Sequence, residues 1–535
     1  MSDETPPQRL RRDDPDGLLS SRMDPGAAAF GVLGGEASSE LNWMQMITSR
    51  VQQRAVGSSR YPWWVLWSLL AGLLALNFTF TVFIVDLPNV AHEFHTEPTV
   101  LTWTMIGPLL AYGLAAPILG KVGDIIGHRR MYLFGLAGAM VSAVLTALAP
   151  NVILLLGART LDGIQGAATG TASAALVNLV FRPDERVKAM GWWSLIGAGG
   201  PVLGVSIGSP IIAAFGWRAL FWFQLILIAV AFAVVSVVLP RDRGTPAELA
   251  ARKVKARNDF RTMDWIGSWS LSAGVTSLML GLSLGNSWGW TSLAVNLCWL
   301  VMLISAFVFV HRVRHAANPL IPAKYFRRRN FVMPIGIRAA ANFAYFGAFF
   351  MFPLLMEQGY GYSIPRVGAV AIARPITFAL CSPIAGYVAI RIGERISVLA
   401  GALSLTLSLA LFSLLQPSTS VWIVVVALAL SGFGMGVNGP ASGAIMANEV
   451  DSTEFGVMSA ASMLAMQVGE VAGIQILETV QQSLVRSRHL ENAHAGAELL
   501  ATFRLPFFIG ACVGAVGVLM SFFVTSVPRE KVKRS

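Results

Sequence analysis

The stretch GKVGDIIGHRR at residues 120–130 recurs in altered form as GYVAIRIGER at residues 386–395. The matches keep a constant offset of 266 residues: Gly120, Gly127 and Arg129 correspond to Gly386, Gly393 and Arg395. Each copy lies between two long apolar runs, in a short connection that carries glycine and positive charge. Internal repeats of this kind are typical of membrane proteins that are built from duplicated helical bundles. The repeat therefore predicts a chain with two copies of one bundle.

The composition indicates that this chain lies mostly within a lipid bilayer. Of its 535 residues, 55% are hydrophobic and only 13% are charged, and the mean hydropathy is +0.61. A soluble globular protein is about a quarter charged. The apolar runs are continuous rather than alternating, which predicts spanning helices and excludes a β-barrel. The expected fold class is thus an all-α polytopic membrane protein.

Fourteen apolar segments reach the roughly 20 residues that a spanning helix needs. They are 63–86, 99–119, 131–149, 152–180, 188–213, 219–239, 265–285, 292–311, 331–356, 366–390, 396–415, 420–446, 456–480 and 505–526. The offset of the repeat also carries the first segment onto the ninth, so the first six and the last six form the two copies. The predicted domains are a disordered cytosolic tail (1–62), a six-helix bundle (63–239), a basic linker with an inserted helix pair (240–330), a second six-helix bundle (331–526) and a basic tail (527–535).

The distribution of basic residues predicts the orientation of these segments. If the N-terminus is cytosolic, the cytosolic connections and flanks carry 28 Lys and Arg, whereas the opposite connections carry 5. Such an excess is the mark of the cytosolic side, so both termini are expected there. It also accounts for the net charge of +11, and no nucleic-acid partner is expected.

Charged residues inside the apolar segments are the first candidates for function, because an unpaired charge in the bilayer costs several kcal/mol. Arg159 and Asp162 lie three residues apart and share a helix face, near the middle of the fourth segment. Asp162 is either a titrating proton site whose pKa Arg159 modulates, or half of a permanently neutralised pair. Glu470 in the thirteenth segment is either a proton or cation site, or the partner of Arg338 or Arg374.

These motifs resemble the major facilitator superfamily, and more narrowly its fourteen-span drug:proton antiporters, over residues 60–530. The stretch 120–130 resembles the signature between spans 2 and 3, GARTLDGIQGAA at 157–168 resembles that of span 4, and GAGGPVLG at 197–204 resembles the antiporter signature of span 5. The resemblance implies a gate built from Gly120, Asp124, Gly127, Arg129 and Arg130, in which Asp124 pairs with basic groups or with a helix N-terminus. It also implies a kinked fifth helix that depends on Gly197, Gly200, Pro201 and Gly204.

The chain departs from the pattern of that family in its carboxylates. Thr79 stands where span 1 usually has Asp, Asp162 stands where span 4 usually has Gln, and Glu470 replaces a glycine of span 13. Asp162 and then Glu470 are therefore the expected sites of proton coupling, with Arg159 as the modulating partner. Residues of an aromatic-rich central cavity are the expected substrate contacts, with lipid-facing side chains as the alternative: Thr79, Phe83, Arg338, Phe343 and Phe346.

The function that this resemblance implies is export of lipophilic or cationic compounds in exchange for protons, by alternating access in a bacterial cytoplasmic membrane. Export of an endogenous lipid, siderophore or peptide with weak or no proton coupling is the alternative. A membrane enzyme would need a polar catalytic cluster, which the sequence lacks, and a sensor with a transporter fold is disfavoured by the intact signature. No phosphate-binding loop follows a strand, so ATP is not the expected driver, and no metal or cofactor is expected. The chain is expected to act as a monomer.

Overall fold

The computed structural model describes residues 60–85, 87–96, 98–101, 103–239, 246–490 and 496–525. The predicted terminal tails fall almost entirely outside the described residues. Within the described ranges the chain is helical and contains no β-strand, as predicted. The helices are α1 Tyr61–Val85, α2 Leu87–Glu93, α3 Pro98–Leu101, α4 Trp103–Ile126, α5 His128–Ala147, α6 Val152–Val180, α7 Arg186–Phe215, α8 Trp217–Val238, α9 Pro246–Thr262, α10 Trp265–Trp288, α11 Leu293–His315, α12 Ala323–Phe326, α13 Arg329–Leu354, α14 Ile364–Ala371, α15 Ala373–Ile392, α16 Glu394–Ser413, α17 Val421–Glu449, α18 Phe455–Ser487, α19 Ala497–Thr502 and α20 Arg504–Ser521.

Each of the fourteen predicted segments overlaps one long helix of the described chain. Eleven helices in the described ranges are long and apolar enough to cross a membrane. Three long helices are not among them. In α6 and α10 many Gly, Ser and Thr residues interrupt the apolar side chains, and part of α7 lies outside the described side chains. Small residues of this kind let helices approach one another closely inside a membrane bundle.

Several boundaries differ from the sequence prediction. The tenth segment is divided at Ile372 between α14 and α15, and α13 continues into a π-helical turn at Leu355–Gly359. Helix α18 continues to Ser487, seven residues beyond the apolar run, because the polar sequence QSLVRS extends the helix without extending its apolar surface. A hydropathy pattern detects only the apolar part of such a helix.

The two copies of the repeat form the same turn. Helix α4 continues through the first half of the signature and ends at Ile126, and Gly127 then turns the chain into α5 with φ of 96°. Gly393 makes the corresponding turn between α15 and α16 with φ of 98°. Glycine adopts this left-handed region without the steric cost that other residues incur.

The helix contacts repeat as well. Among the first six long helices, α1 packs against α7 and α8, α6 packs against α4 and α5, and α5 packs against α8. The same contacts recur in order among the last six, where α13 packs against α18 and α20, α17 against α15 and α16, and α16 against α20. We call these sets the first and second bundles. Helices α10 and α11 pair with each other, and α10 also contacts α4 and α18.

Candidate functional site

The two bundles meet along a seam that is tight at the end of the molecule that carries the basic connections. A Cβ atom on Gly456 of α18 would lie 2.2 Å from the carbonyl oxygen of Gly120 on α4. The repeat places a second crossing where α7 meets α15, and there a Cβ on Gly191 would lie 2.6 Å from Ser382 O. Because neither position has room for a side chain, the glycines allow this end of the seam to close.

A buried carboxylate joins the bundles at the first crossing. The Asp124 carboxylate of α4 accepts hydrogen bonds from the backbone N–H groups of Gly456 at 2.7 Å and Val457 at 3.1 Å. These groups belong to the first turn of α18, where backbone N–H groups lack partners within the helix and the helix dipole favours negative charge. His128 Nε2 lies 3.2 Å from the same carboxylate. In the second copy the corresponding residue is Ile390, so this polar contact is formed at one crossing and not at the other.

The two arginines that end the signature lie on the side of the first bundle. Arg129 donates from Nη2 to Ser236 O at 2.9 Å, close to the end of α8, and so contacts its own bundle. Arg130 is exposed. The resemblance left open whether basic groups or a helix N-terminus would hold Asp124, and the two backbone hydrogen bonds to its carboxylate come from a helix N-terminus.

The sequence places Arg186 among the basic residues that set the orientation in the membrane. In the structure its guanidinium also connects the two bundles. From the start of α7 it donates to Asn178 O at 2.9 Å near the end of α6, to Ala447 O at 3.1 Å and to Asn448 Oδ1 at 2.7 Å near the end of α17. It also stacks over the ring of Phe455, 5.0 Å from the centroid. A cation is favoured where two helices end, because their last carbonyl groups lack intrahelical partners.

A polar cluster holds the loop that leads into α18. Lys324 Nζ lies 2.8 Å from Asp451 Oδ2, and the hydroxyl of Tyr325 contacts both Asp451 and Glu454. Hydrogen bonding to Lys324 lowers the pKa of Asp451, and burial raises the pKa of Tyr325 to about 12. The cluster thereby connects the loop before α18 to Lys324 and Tyr325 in α12.

Arg159 and Asp162 form the ion pair that their spacing predicts. The pair faces α5 and α8, because Ser142 Oγ lies 2.5 Å from Asp162 Oδ1 and Arg159 stacks over Phe221 at 5.7 Å. A titrating Asp162 would need its carboxylate to reach water in a cavity between the bundles. On α6 it is instead Ala167 that packs at the seam, and a residue five positions away projects from a different face of the helix.

Glu470 lies on the face of α18 that looks toward the seam. Ser459, Met463 and Met466 precede it at intervals of three and four residues, so all four share one helix face. Ser459 and Met463 line a small cavity between the bundles, and Glu470 continues the face by one turn. It is partly exposed. Within the described chain no ion pair joins Glu470 to Arg338 or to Arg374, so the predicted alternative of a structural ion pair is not formed.

Arg338 and Arg374 are both buried, at 5% and 2% exposure, but their surroundings differ. Arg374 donates to Ser431 Oγ from Nε at 3.1 Å and from Nη2 at 2.9 Å, and it lies over the ring of Tyr345 at 4.6 Å. Arg338 donates from Nη1 to Gly439 O at 3.0 Å and contacts Met466 Sδ at 2.7 Å. It lines the cavity at the seam, and Arg374 does not.

Comparison with known proteins agrees with this architecture. A model of the Major Facilitator Superfamily matches residues 68–474 and 335–535. The chain belongs to this superfamily. It is therefore a multi-pass membrane transporter for small molecules and not an enzyme, as predicted.

Relatives named for drug export and drug resistance match most of the chain. It is 26% identical over 437 residues to the tetracenomycin C resistance and export protein of Streptomyces glaucescens, with 81% of this chain and 78% of that protein covered. It is 24% identical over 413 residues to the multidrug resistance protein Stp of Mycobacterium tuberculosis, with coverages of 76% and 74%. The crystal structure of the human organic anion transporter MFSD10 shares the fold, with a TM-score of 0.63 at 18% identity over 86% of this chain and 99% of that one.

The other substrate contacts expected in this transporter lie away from the cavity or outside the described side chains. Thr79 is 1% exposed, and Phe343 is buried in the core of the second bundle. Phe346 packs edge-on against Tyr345, with 5.2 Å between the ring centroids. The side chain of Phe83 lies outside the described residues, so among the described candidates only Arg338 lines the cavity.

The antiporter signature lies within α7, whose backbone is helical throughout. The side-chain surroundings of its four residues lie outside the described part of the chain, so their predicted kink stays a prediction: Gly197, Gly200, Pro201 and Gly204. Among the described residues no group of three or more His, Cys, Asp or Glu is arranged to hold a metal ion.

Proposed function

We propose that the chain is a secondary active exporter that moves lipophilic small molecules out of a bacterial cell in exchange for protons. The observation that carries this proposal is the closed seam at the basic end, where Asp124 of one bundle binds the first turn of α18 in the other. Alternating access needs contacts between the bundles that form in one state and break in the other. Relatives named for antibiotic export and multidrug resistance support drugs as substrates.

The proposal includes fourteen membrane crossings with both termini in the cytosol. The fourteen long helices and the 28 basic residues of the cytosolic connections and flanks support that arrangement, because positive charge accumulates on the cytosolic side. The closed end is then the cytosolic end, and the structure corresponds to a state that faces outward. Gly120 and Gly127 would allow the crossing and the turn, and Arg129 and Arg130 would complete the gate.

Two carboxylates are proposed to carry the protons. Glu470 faces the seam without a cationic partner in the described chain, so its charge would be exposed to changes in hydration as the bundles move. Asp162 is held by Arg159 and Ser142 inside the first bundle, so it would release or bind a proton only when that pair loosens. We therefore place the main coupling site at Glu470 and a modulating pair at Asp162 and Arg159.

The alternative is an exporter of an endogenous product with weak or no proton coupling. The observation that favours it is Thr79, which is buried where the family usually places a carboxylate in span 1, and which has no proton to exchange near neutral pH. Under this alternative, Glu470 would contribute to binding and not to coupling.

Everted membrane vesicles distinguish the two functions. The vesicles are energised, a lipophilic dye such as ethidium is added, and substrate-evoked collapse of the pH gradient is recorded for the parent, Glu470→Gln and Asp162→Asn. Coupling at Glu470 predicts that collapse vanishes in Glu470→Gln and weakens in Asp162→Asn. The matched control is Glu357→Gln, which neutralises an exposed carboxylate and should behave as the parent. Dye accumulation without any proton movement in the parent would favour the alternative.

A further inference from the structure

Three residues that line one small cavity each have a buried polar atom without a hydrogen-bond partner in the described chain. These atoms are Arg338 Nε of α13, Asn178 Oδ1 of α6 and Ser459 Oγ of α18. Their residues are 5%, 1% and 1% exposed. The cavity measures about 10 Å³, and it draws its lining from both bundles. Because buried polar groups are nearly always paired, three orphaned atoms in one place point to a partner that binds in another state.

The charge of the cavity determines what kind of partner that is. Arg338 is the tenth residue of α13, about 14 Å along a helix that rises about 1.5 Å per residue, and its guanidinium lies beside Asn178 near the end of α6 and Ser459 near the start of α18. No carboxylate pairs with it in the described chain, whereas Arg159 has Asp162. Within the described chain its Nη2 donates to a thioether sulfur, Met466 Sδ, which is a weak acceptor. A buried guanidinium is tolerated when an anion or several acceptors surround it.

We propose that Arg338, Asn178 and Ser459 form a binding site for an acidic group of the exported compound, such as a carboxylate or an acidic phenol. This inference rests on the proposed function and narrows its substrate class, in place of the purely cationic substrate expected from the sequence. A planar carboxylate matches the fork of guanidinium N–H donors. The hydroxyl of Ser459 would donate a further hydrogen bond, and the Asn178 carbonyl would accept one from a neutral neighbouring group.

The small volume of the cavity indicates at which stage of transport the acidic group would bind. At about 10 Å³ this cavity has room for no more than about one water molecule, so the acidic group would bind while the basic end is open. Closure of the crossings at Gly120 and Gly191 would then collapse the site and displace the compound. Binding from the cytosol and expulsion on closure is the order that an exporter needs.

The test uses rhodamine B, which carries a free carboxylate, and its ethyl ester, which has the same cationic ring system without the acid. Their affinities for the purified full-length protein are measured by fluorescence anisotropy. We expect the parent to bind the acid at least tenfold more tightly, which corresponds to about 1.4 kcal/mol. Arg338→Gln should abolish the preference, and Arg338→Lys should keep part of it. The control Arg374→Gln removes an equally buried arginine away from the cavity and should leave the ratio of affinities unchanged.

A second variant tests the proposal independently if Arg338→Gln does not fold. Asn178→Asp is close in shape and would give Arg338 an internal counter-ion, so it should lower the affinity for the acid and spare that for the ester. Equal affinities of the parent for both dyes, no measurable binding of either, or a ratio that Arg338→Gln leaves unchanged would each overturn the proposal. Failure of the dyes to cross vesicle membranes would count against export alone, because the ratio of affinities is measured at equilibrium without transport.

Discussion

Replacement of Asp124 by Asn should shift the equilibrium between the closed and open forms of the basic end. The carboxylate accepts two backbone hydrogen bonds from the first turn of α18, at 2.7 and 3.1 Å, and it is 3% exposed. An amide keeps one acceptor oxygen but loses the charge. Hydrogen bonds to charged groups contribute about 1.5–3 kcal/mol, and a partly buried charge at a helix end contributes up to about 2 kcal/mol. A net loss of about 2 kcal/mol would change the ratio of closed to open molecules roughly thirtyfold.

Double electron–electron resonance measures this shift directly. Spin labels are placed by Asp184→Cys before α7 and by Arg327→Cys before α13, both exposed and on opposite sides of the seam. The three native cysteines are first replaced by serine: Cys298, Cys381 and Cys512. Asp124→Asn should add a population at longer distance that the parent lacks.

The matched control for this experiment is Asp451→Asn, which removes the same charge from the loop before α18. Its carboxylate is 65% exposed and pairs with Lys324, so the ion pair contributes about 1 kcal/mol at most and does not cross the seam. Identical distance distributions for Asp124→Asn and the parent would refute the assignment of Asp124 as a latch. Equal shifts in Asp124→Asn and Asp451→Asn would refute its specificity.

Three further outcomes follow from the same end of the molecule. Gly456→Ala places a methyl group 2.2 Å from a facing backbone oxygen. Cysteine labelling should therefore find the basic end open, and dye export should fall. The control Gly157→Ala, whose added methyl group meets nothing within 4 Å, should match the parent in both assays. Arg186→Gln removes hydrogen bonds to the ends of two helices and should lengthen the spin-label distance as Asp124→Asn does; an unchanged distance would make Arg186 a topological charge only. Pairing with Lys324 lowers the pKa of Asp451, so the ion pair stabilises the fold above the unfolded pKa of about 3.9, and this effect is lost as the pH falls through the lower folded pKa. Lys324→Met should therefore reduce the loss of thermal stability below about pH 4. Parallel pH profiles of the parent and the variant would contradict this.

Features that depend on local sequence were predictable, and features that depend on helix rotation were not. The apolar runs define the long helices, and Gly127 and Gly393 mark their turns because only glycine adopts those backbone angles readily. The spacing of Arg159 and Asp162 is enough to predict their ion pair. The face that this pair presents is set by packing, because α4 and α18 occupy the other sides of α6, and no pattern within residues 152–180 specifies that choice.

The contacts of Arg186 could not be predicted from its own segment either. Its partners in α17 lie more than 260 residues away in sequence, so its own segment indicates a basic residue beside a membrane and nothing more. Two features nonetheless were present in the sequence: the position of Arg186 in the short connection between the fourth and fifth predicted segments, and the internal repeat that brings the ends of the bundles together. Combined, they would have placed a cation near several helix C-termini.

Two sets of polar groups at the seam carry opposing electrostatic costs, and a substrate would change the balance between them. In the closed form Asp124 and Arg186 satisfy the ends of helices α18, α6 and α17, and opening of the seam exposes those ends to water. In the same form Arg338 retains a buried N–H without a partner in the described chain, and opening relieves that cost by hydration or by a bound anion. An acidic compound would thus stabilise the open form through Arg338, and its release would leave Asp124 and Arg186 to close the seam again. The coupling of binding to movement then needs no contact between the compound and the latch, because both act on one equilibrium between the same two bundles.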